Sequence, residues 1–280
     1  MDKGDIALNQ LLHGLDRTQE TRLEAHREIN SKISRNPESV VPFPLTVLLT
    51  VSSTCNLRCV SCDLGKRQDS YATKNLGTQK GLNEDLYYGL IDSFGPYKPE
   101  VFFVGVEPLL WKPLAGAVRY AAEKNIFVEL TTNALLLEEY AENLLESGLN
   151  RINVSMDGHT PGLHDAIRGV RGAFEKSLAG IRKAMDIIRK DQLETELVIN
   201  CVVSDYNYRF LPEIASFWSN EPITALAFSM LQYVSSSMAE RHNTLTGTYP
   251  VSCSSVFDIA PASIDGPLLV KKIREAREIF

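Results

Sequence analysis

The stretch "LTVLLTVSSTCNLRCVSC", residues 45–62, decides how the chain is to be read. Its first seven residues are apolar or β-branched, the composition of a short buried strand. Directly behind them come Cys55, Cys59 and Cys62, separated by three and then two residues. Working outward from this strand, apolar and β-branched runs recur at about 100–105, 126–131, 151–156, 196–204 and 224–231. Helical patterns at about 82–95, 112–124, 136–147, 173–190 and 208–219 lie between them. Repeated βα alternation predicts an α/β fold with parallel strands and right-handed helical crossovers, curling into a partial (β/α)6 TIM-like barrel. Chemistry in such folds sits at the carboxyl ends of the strands, which is where the thiols fall.

Composition limits what that chemistry serves. The chain has 280 residues, 44% hydrophobic and 23% charged, enough to bury a sizeable core as one large domain or two small ones. Its net charge of −6 comes without a lysine or arginine run that would track phosphates, so nucleic acid is not an expected partner. No apolar run approaches the ~18 residues that a membrane span needs, and no membrane partner is expected. The first residues are acidic where a secretory signal would be basic, so a reducing cytoplasmic location is expected.

In such a compartment the thiols are not a disulfide framework, and five cysteines is an odd number. A structural zinc site wants four ligands, usually as two separated pairs. Here Cys201 and Cys253 are isolated, and no histidine neighbours Cys62. Three thiolates on one loop suit an iron–sulfur cluster with one iron left open to a substrate or cofactor. Zinc in a three-cysteine site stays open as an alternative, and it predicts a colourless protein.

The spacing in "CNLRCVSC" resembles the cluster motif of the radical S-adenosylmethionine (radical SAM) superfamily. The resemblance implies a 4Fe-4S cluster on Cys55, Cys59 and Cys62, with S-adenosylmethionine (SAM) on the open iron. It implies an enzyme that cleaves SAM reductively to a 5′-deoxyadenosyl radical, which takes hydrogen from a substrate. The later strand ends extend the likeness. "VGVEPLL", 104–110, is similar to the family's Gly-Gly-Glu-Pro turn, so Gly105, Val106, Glu107 and Pro108 are expected around the SAM ammonium. "ELTTNALL", 129–136, is similar to the Thr-Asn-Ala turn: Thr131 is expected at the ribose, beside Thr132 and Asn133, which on their own read as a helix cap. "INVSMDGHTPGLHDAIRGVRGAF", 152–174, resembles the branch that carries a SPASM or Twitch domain. By that resemblance Ser155 and Arg168 hold the SAM carboxylate, with Arg171 as a competitor, and Val202 or Val203 meets the adenine.

Asp157 reads as a loop anchor, a substrate-facing group or simply part of an Asp-Gly turn, His164 as structural, and Cys201 as a small buried apolar residue. Gln232 and Tyr233 are candidates for lining a substrate pocket. Two positions depart from the family pattern: Val106 replaces a glycine, and Ser61 stands where an aromatic residue precedes the third cysteine. These departures leave open a degenerate cluster-binding protein that acts as a partner or sensor. Three segments are expected: 1–44 as an N-terminal helix and linker, 45–232 as the core, and 233–280 as a loop and helix leading towards an auxiliary-cluster domain absent here. The implied partners are a peptide, sugar or other small-molecule substrate and an electron donor such as flavodoxin or ferredoxin.

Overall fold

The computed structural model describes residues 44–62, 82–94, 98–232, 234–247 and 263–280. The expected N-terminal helix, Tyr233 and Cys253 lie outside them. Six parallel strands form one sheet in sequential order: β1 (Thr46–Thr50), β2 (Glu100–Val104), β3 (Val128–Thr132), β4 (Arg151–Ser155), β5 (Glu196–Val203) and β6 (Ala225–Met230). Each is connected to the next in the same sense, and every neighbouring pair is parallel. Helices α1 (Glu84–Phe94), α2 (Leu114–Glu123), α3 (Leu137–Glu146), α4 (Pro161–Arg168), α5 (Ala173–Lys190) and α6 (Leu211–Trp218) fall between strands. Two more follow, α7 (Ser236–Thr246) and α8 (Gly266–Ile279). Among the described residues, no helix is long and apolar enough to cross a membrane.

Strand pleating sorts the side chains into two faces. Val101, Phe103, Val128, Leu130, Ile152, Val154, Leu197 and Ile199 are almost wholly buried and join the helices in one apolar core. The helices meet them with apolar residues at helical spacing, as Tyr87, Ile91 and Phe94 do in α1. Alternate strand residues are only half-buried and line the inner face. Helix α8 also packs on this body, placing Ala276 in the core with Leu269 and Ile273 against it.

Two elements differ from the sequence expectation. The segment 236–246, expected as a loop, is helical: Ser235 caps it through a bond from the Met238 amide, and only Ala239 is buried, so it has almost no apolar periodicity to read. Residues 161–168 form a separate short helix, with Thr160 as N-cap, Pro161 in the first turn and Gly169 as a left-handed C-cap.

The amino ends of the strands carry a charged cluster on the inner face. Arg151 Nη1 lies 3.2 Å from Glu129 and 3.8 Å from Glu100, and its Nε donates to Glu196. Asn153 also donates to Glu129. Burial first, and then the adjoining Glu100, push the Glu129 carboxyl up to about 7. A carboxyl raised above its ordinary value of 4.5 holds its proton in the folded state, so its stabilisation is complete below pH 4.5 and lost as the pH rises through 7. Glu129→Gln is therefore expected to flatten the pH dependence of stability and to exceed the native chain above pH 7 by on the order of 1 kcal/mol. Urea unfolding at pH 5 and pH 8 measures this; an unchanged difference between the two pH values refutes it.

Candidate active site

At the opposite, carboxyl ends of the strands the loops enclose a cavity of about 220 Å³. The three thiols enter it from the loop after β1, and Gly105, Val106 and Glu107 from the loop after β2. Thr131, Thr132 and Asn133 line it at the end of β3, with Ser155 at the end of β4, Asp157 just beyond it and Arg168 from the last turn of α4. Two expected residues stand elsewhere. Pro108 is buried at the start of a short 3-10 turn behind Glu107, and Val203 faces the core, 1% exposed, while Val202 lines the cavity. The pleat explains the second case, because neighbouring residues of a strand point to opposite faces.

The loop after β2 turns where the chain has no Cβ. Gly105 takes φ +109°, and a Cβ there would lie 2.5 Å from Thr50 Cγ2. Val106 is not among the described residues with positive φ, so the valine sits in this turn without left-handed strain. Glu107 follows, 1% exposed, and ties two loops together. Its Oε1 accepts from Thr132 Oγ1 at 2.7 Å and the Leu109 amide at 3.0 Å, and its Oε2 accepts from the Asn133 amide at 2.9 Å. Burial raises its pKa against these bonds. A carboxylate offers about four acceptor positions, so this one retains capacity for a further donor.

Helix α4 secures the thiol loop from below. The Arg58 amide donates to Arg168 O at 3.1 Å and the Val60 amide to Ile167 O at 2.9 Å, which uses two carbonyls the helix end leaves free. Gly169 permits this approach: it has φ +71°, and a Cβ on it would lie 2.1 Å from Arg58 O. Sequence reasoning did not single out Gly169, although a glycine just past a helical turn ending in Arg168 is a C-cap signal.

Asp157 and Arg168 form a buried ion pair, Oδ2 to Nη2 at 2.8 Å, with side chains 4% and 11% exposed. Asp157 Oδ1 also accepts from the Val202 amide at 2.8 Å, and its backbone amide donates to His164 Nδ1 at 3.2 Å. Asp157 is thus a loop anchor as well as a cavity residue. His164 is held neutral, its pKa lowered to about 3 by burial and then by Arg168, and its bond to the loop backbone is a structural one. Burial works against the charge of Arg168, but Asp157 and Cys59 outweigh it and hold the guanidinium protonated. The Nε of Arg168 is buried without a hydrogen-bond partner among the described residues. Cys201 is fully buried in the core, as a small apolar side chain is expected to be.

Burial pushes the thiols of Cys55 and Cys59 up, and Arg168 draws that of Cys59 back. Among the described residues no group of three histidine, cysteine or acidic side chains is placed to hold one metal ion. Three thiols from one loop that line a single cavity suit an iron–sulfur cluster, which is held by cysteine thiolates. A guanidinium with an orphaned N–H and a carboxylate with spare acceptor capacity line that cavity too. The donor set therefore fits a thiolate-bound cluster beside a zwitterionic amino-acid group.

Comparison with known proteins agrees with this chemistry. A family model described as the Radical SAM superfamily matches residues 49–205. The Fe-coproporphyrin III synthase of Methanosarcina barkeri is 31% identical over 190 residues, 67% of this chain and 44% of that protein. The probable GTP 3′,8-cyclase of Methanocaldococcus jannaschii is 31% identical over 170 residues, 60% of this chain and 53% of that protein. The chain spans about half the length of these curated relatives. SuiB of Streptococcus suis, solved bound to S-adenosylmethionine, shares the fold, with a TM-score of 0.56, 21% identity, and coverage of 83% of this chain and 52% of that one.

Proposed function

Because the chain belongs to the radical SAM superfamily, we propose that it is a radical SAM enzyme in which Cys55, Cys59 and Cys62 hold a 4Fe-4S cluster and the surrounding strand ends hold SAM. The observation that carries this reading is the meeting of all three thiols, Glu107 and Arg168 in one cavity. When bound, the cluster and SAM supply reductive cleavage of the sulfonium, giving a 5′-deoxyadenosyl radical that takes hydrogen from a substrate C–H bond. The rest is the work of this chain's own residues.

Glu107 and the backbone oxygens of its turn accept from the ammonium of SAM's methionine part. Arg168 would offer its guanidinium to the carboxylate, with Ser155 lining the same cavity. Thr131 would serve the ribose, and Val202, which lines the cavity, would offer an apolar wall to the adenine. Ser61, which also lines the cavity, adds no aromatic ring to that wall. The half-buried inner face of the barrel, open beside this cavity, receives a small-molecule or peptide substrate. A small one-electron carrier of the flavodoxin or ferredoxin class would supply the reducing electron.

Anaerobic reconstitution with iron and sulfide, reduction, addition of SAM and mass spectrometry of 5′-deoxyadenosine test the proposal. The native chain is expected to form the product and Cys59→Ala to form none above background. A brown, iron-loaded native protein that yields no product overturns the enzymatic reading.

A further inference from the structure

The thiols are not equivalent. Cys55 Sγ receives the Leu57 amide at 3.4 Å and Asn133 Nδ2 at 3.7 Å, while Cys59 Sγ receives Arg168 Nη1 at 3.9 Å. No donor to Cys62 Sγ is found among the described residues. Both side-chain donors are locked in orientation by contacts on their other atoms. The Asn133 Oδ1 accepts from the Leu135 amide at 3.0 Å, which turns the amide nitrogen towards the cysteine loop, where it also donates to Asn56 Oδ1 at 2.7 Å. Its backbone is fastened on both sides: the amide donates to Glu107, and the carbonyl accepts from Ser177 Oγ at 2.8 Å. Arg168 is aimed by Asp157, which takes Nη2 and leaves Nη1 facing Cys59. Asp157 is in turn fixed by the Val202 amide.

The Asn133 amide nitrogen thus does more than its turn requires: it reaches both Asn56 Oδ1 and Cys55 Sγ, 77 and 78 positions away in sequence. We propose that Asn133 and Arg168 are positioning residues that donate N–H···S bonds to Cys55 and Cys59 and thereby raise the reduction potential of the cluster held there. This rests on the radical SAM reading above. One-electron reduction adds negative charge that is shared with the thiolate sulfurs, and hydrogen bonds to those sulfurs are among the determinants of cluster potential. Such bonds stabilise the reduced form more than the oxidised one, and they act strongly in a buried, low-dielectric setting. The two donors serve different cysteines of one cluster, so each is expected to contribute a shift in the same direction. Asp157 acts through Arg168: without it the guanidinium has no reason to hold one nitrogen against Cys59.

Potentiometric titration with dithionite, followed by electron paramagnetic resonance of the reduced cluster, tests this on the reconstituted full chain. Asn133→Ser keeps an oxygen to cap the Leu135 amide but loses the N–H to Cys55. Arg168→Lys keeps the charge but not a fork able to reach Asp157 and Cys59 together. Each variant is expected to have a lower midpoint potential than the native protein, and the double variant a lower one than either. Resonance Raman spectra of the variants are expected to show displaced iron–thiolate stretching bands. An unchanged midpoint in either iron-loaded variant overturns the assignment for that side chain. Failure of both variants to retain iron at the native ratio overturns it as well, because the side chains then serve assembly and not tuning. A native protein without a reducible cluster would instead reject the family-based reading.

Discussion

Gly169→Ala is expected to unfasten the cysteine loop. The added Cβ would lie 2.1 Å from Arg58 O and 2.7 Å from its carbonyl carbon. These are backbone atoms, so no side-chain rotation relieves the contact. The position also has φ +71°, where an L-residue is strained. To accommodate the methyl group, the chain at Arg58 must withdraw from the end of α4, breaking the amide bonds from Arg58 to Arg168 O and from Val60 to Ile167 O. Strain and two lost bonds together cost about 2–4 kcal/mol. Because Arg58 lies between Cys55 and Cys59, the larger consequence is local: iron retained after anaerobic reconstitution should fall several-fold, even at temperatures where circular dichroism shows the barrel folded. An alanine variant that binds iron at the native ratio would show that the loop does not depend on this contact.

Asp157→Ala is the second change of large effect. It leaves the Arg168 guanidinium buried without its carboxylate and strips the Val202 amide of its acceptor. Removing one member of a buried ion pair costs about 3–5 kcal/mol, since the remaining charge is left uncompensated in a poorly solvating place. Asp157→Asn is expected to cost less, because the amide oxygen still accepts from Val202. Denaturant unfolding of the apoprotein separates the two. Equal losses for Ala and Asn would mean that the charge, and not the acceptor to Val202, carries the stability. A loss below 1 kcal/mol for alanine would show that Arg168 finds another partner.

Much of this architecture is legible without coordinates. The strands are local: a short apolar run between polar turns needs no distant partner to be recognised, and each of the six lies within about two residues of its expected place. Helix α5 occupies 173–190 as its periodicity predicts, because an amphipathic stripe records which face is buried. The loops after successive strands carry the chemistry for the same reason: in parallel βα units they all emerge at one end. Strand order puts the cysteine loop, the glutamate after β2 and the arginine of 161–168 at one end, and the resemblance to the radical SAM motifs groups them as one site.

Pleat phase was beyond the sequence at β5. Val202 and Val203 are identical neighbours that point to opposite faces, and only the assembled sheet shows that Val202 lines the cavity while Val203 enters the core. Helix α7 was hidden because it buries one residue and has almost no apolar face to display. The Glu129 cluster joins residues from the first positions of β2, β4 and β5 to one from β3, far apart in sequence and without a shared motif.

By itself, then, the sequence determined the α/β alternation and the thiol loop, together with motifs that resemble those of a known family, because spacing and periodicity are properties of a chain read one segment at a time. Only the tertiary structure decided that Glu107 ties the loops after β2 and β3 together, that Asp157 aims Arg168, that Gly169 seats the cysteine loop, and that Asn133 reaches a sulfur. Each is a contact between segments that meet only when the strands assemble into one sheet, and which donor finds which acceptor depends on register and packing that no single stretch of sequence contains.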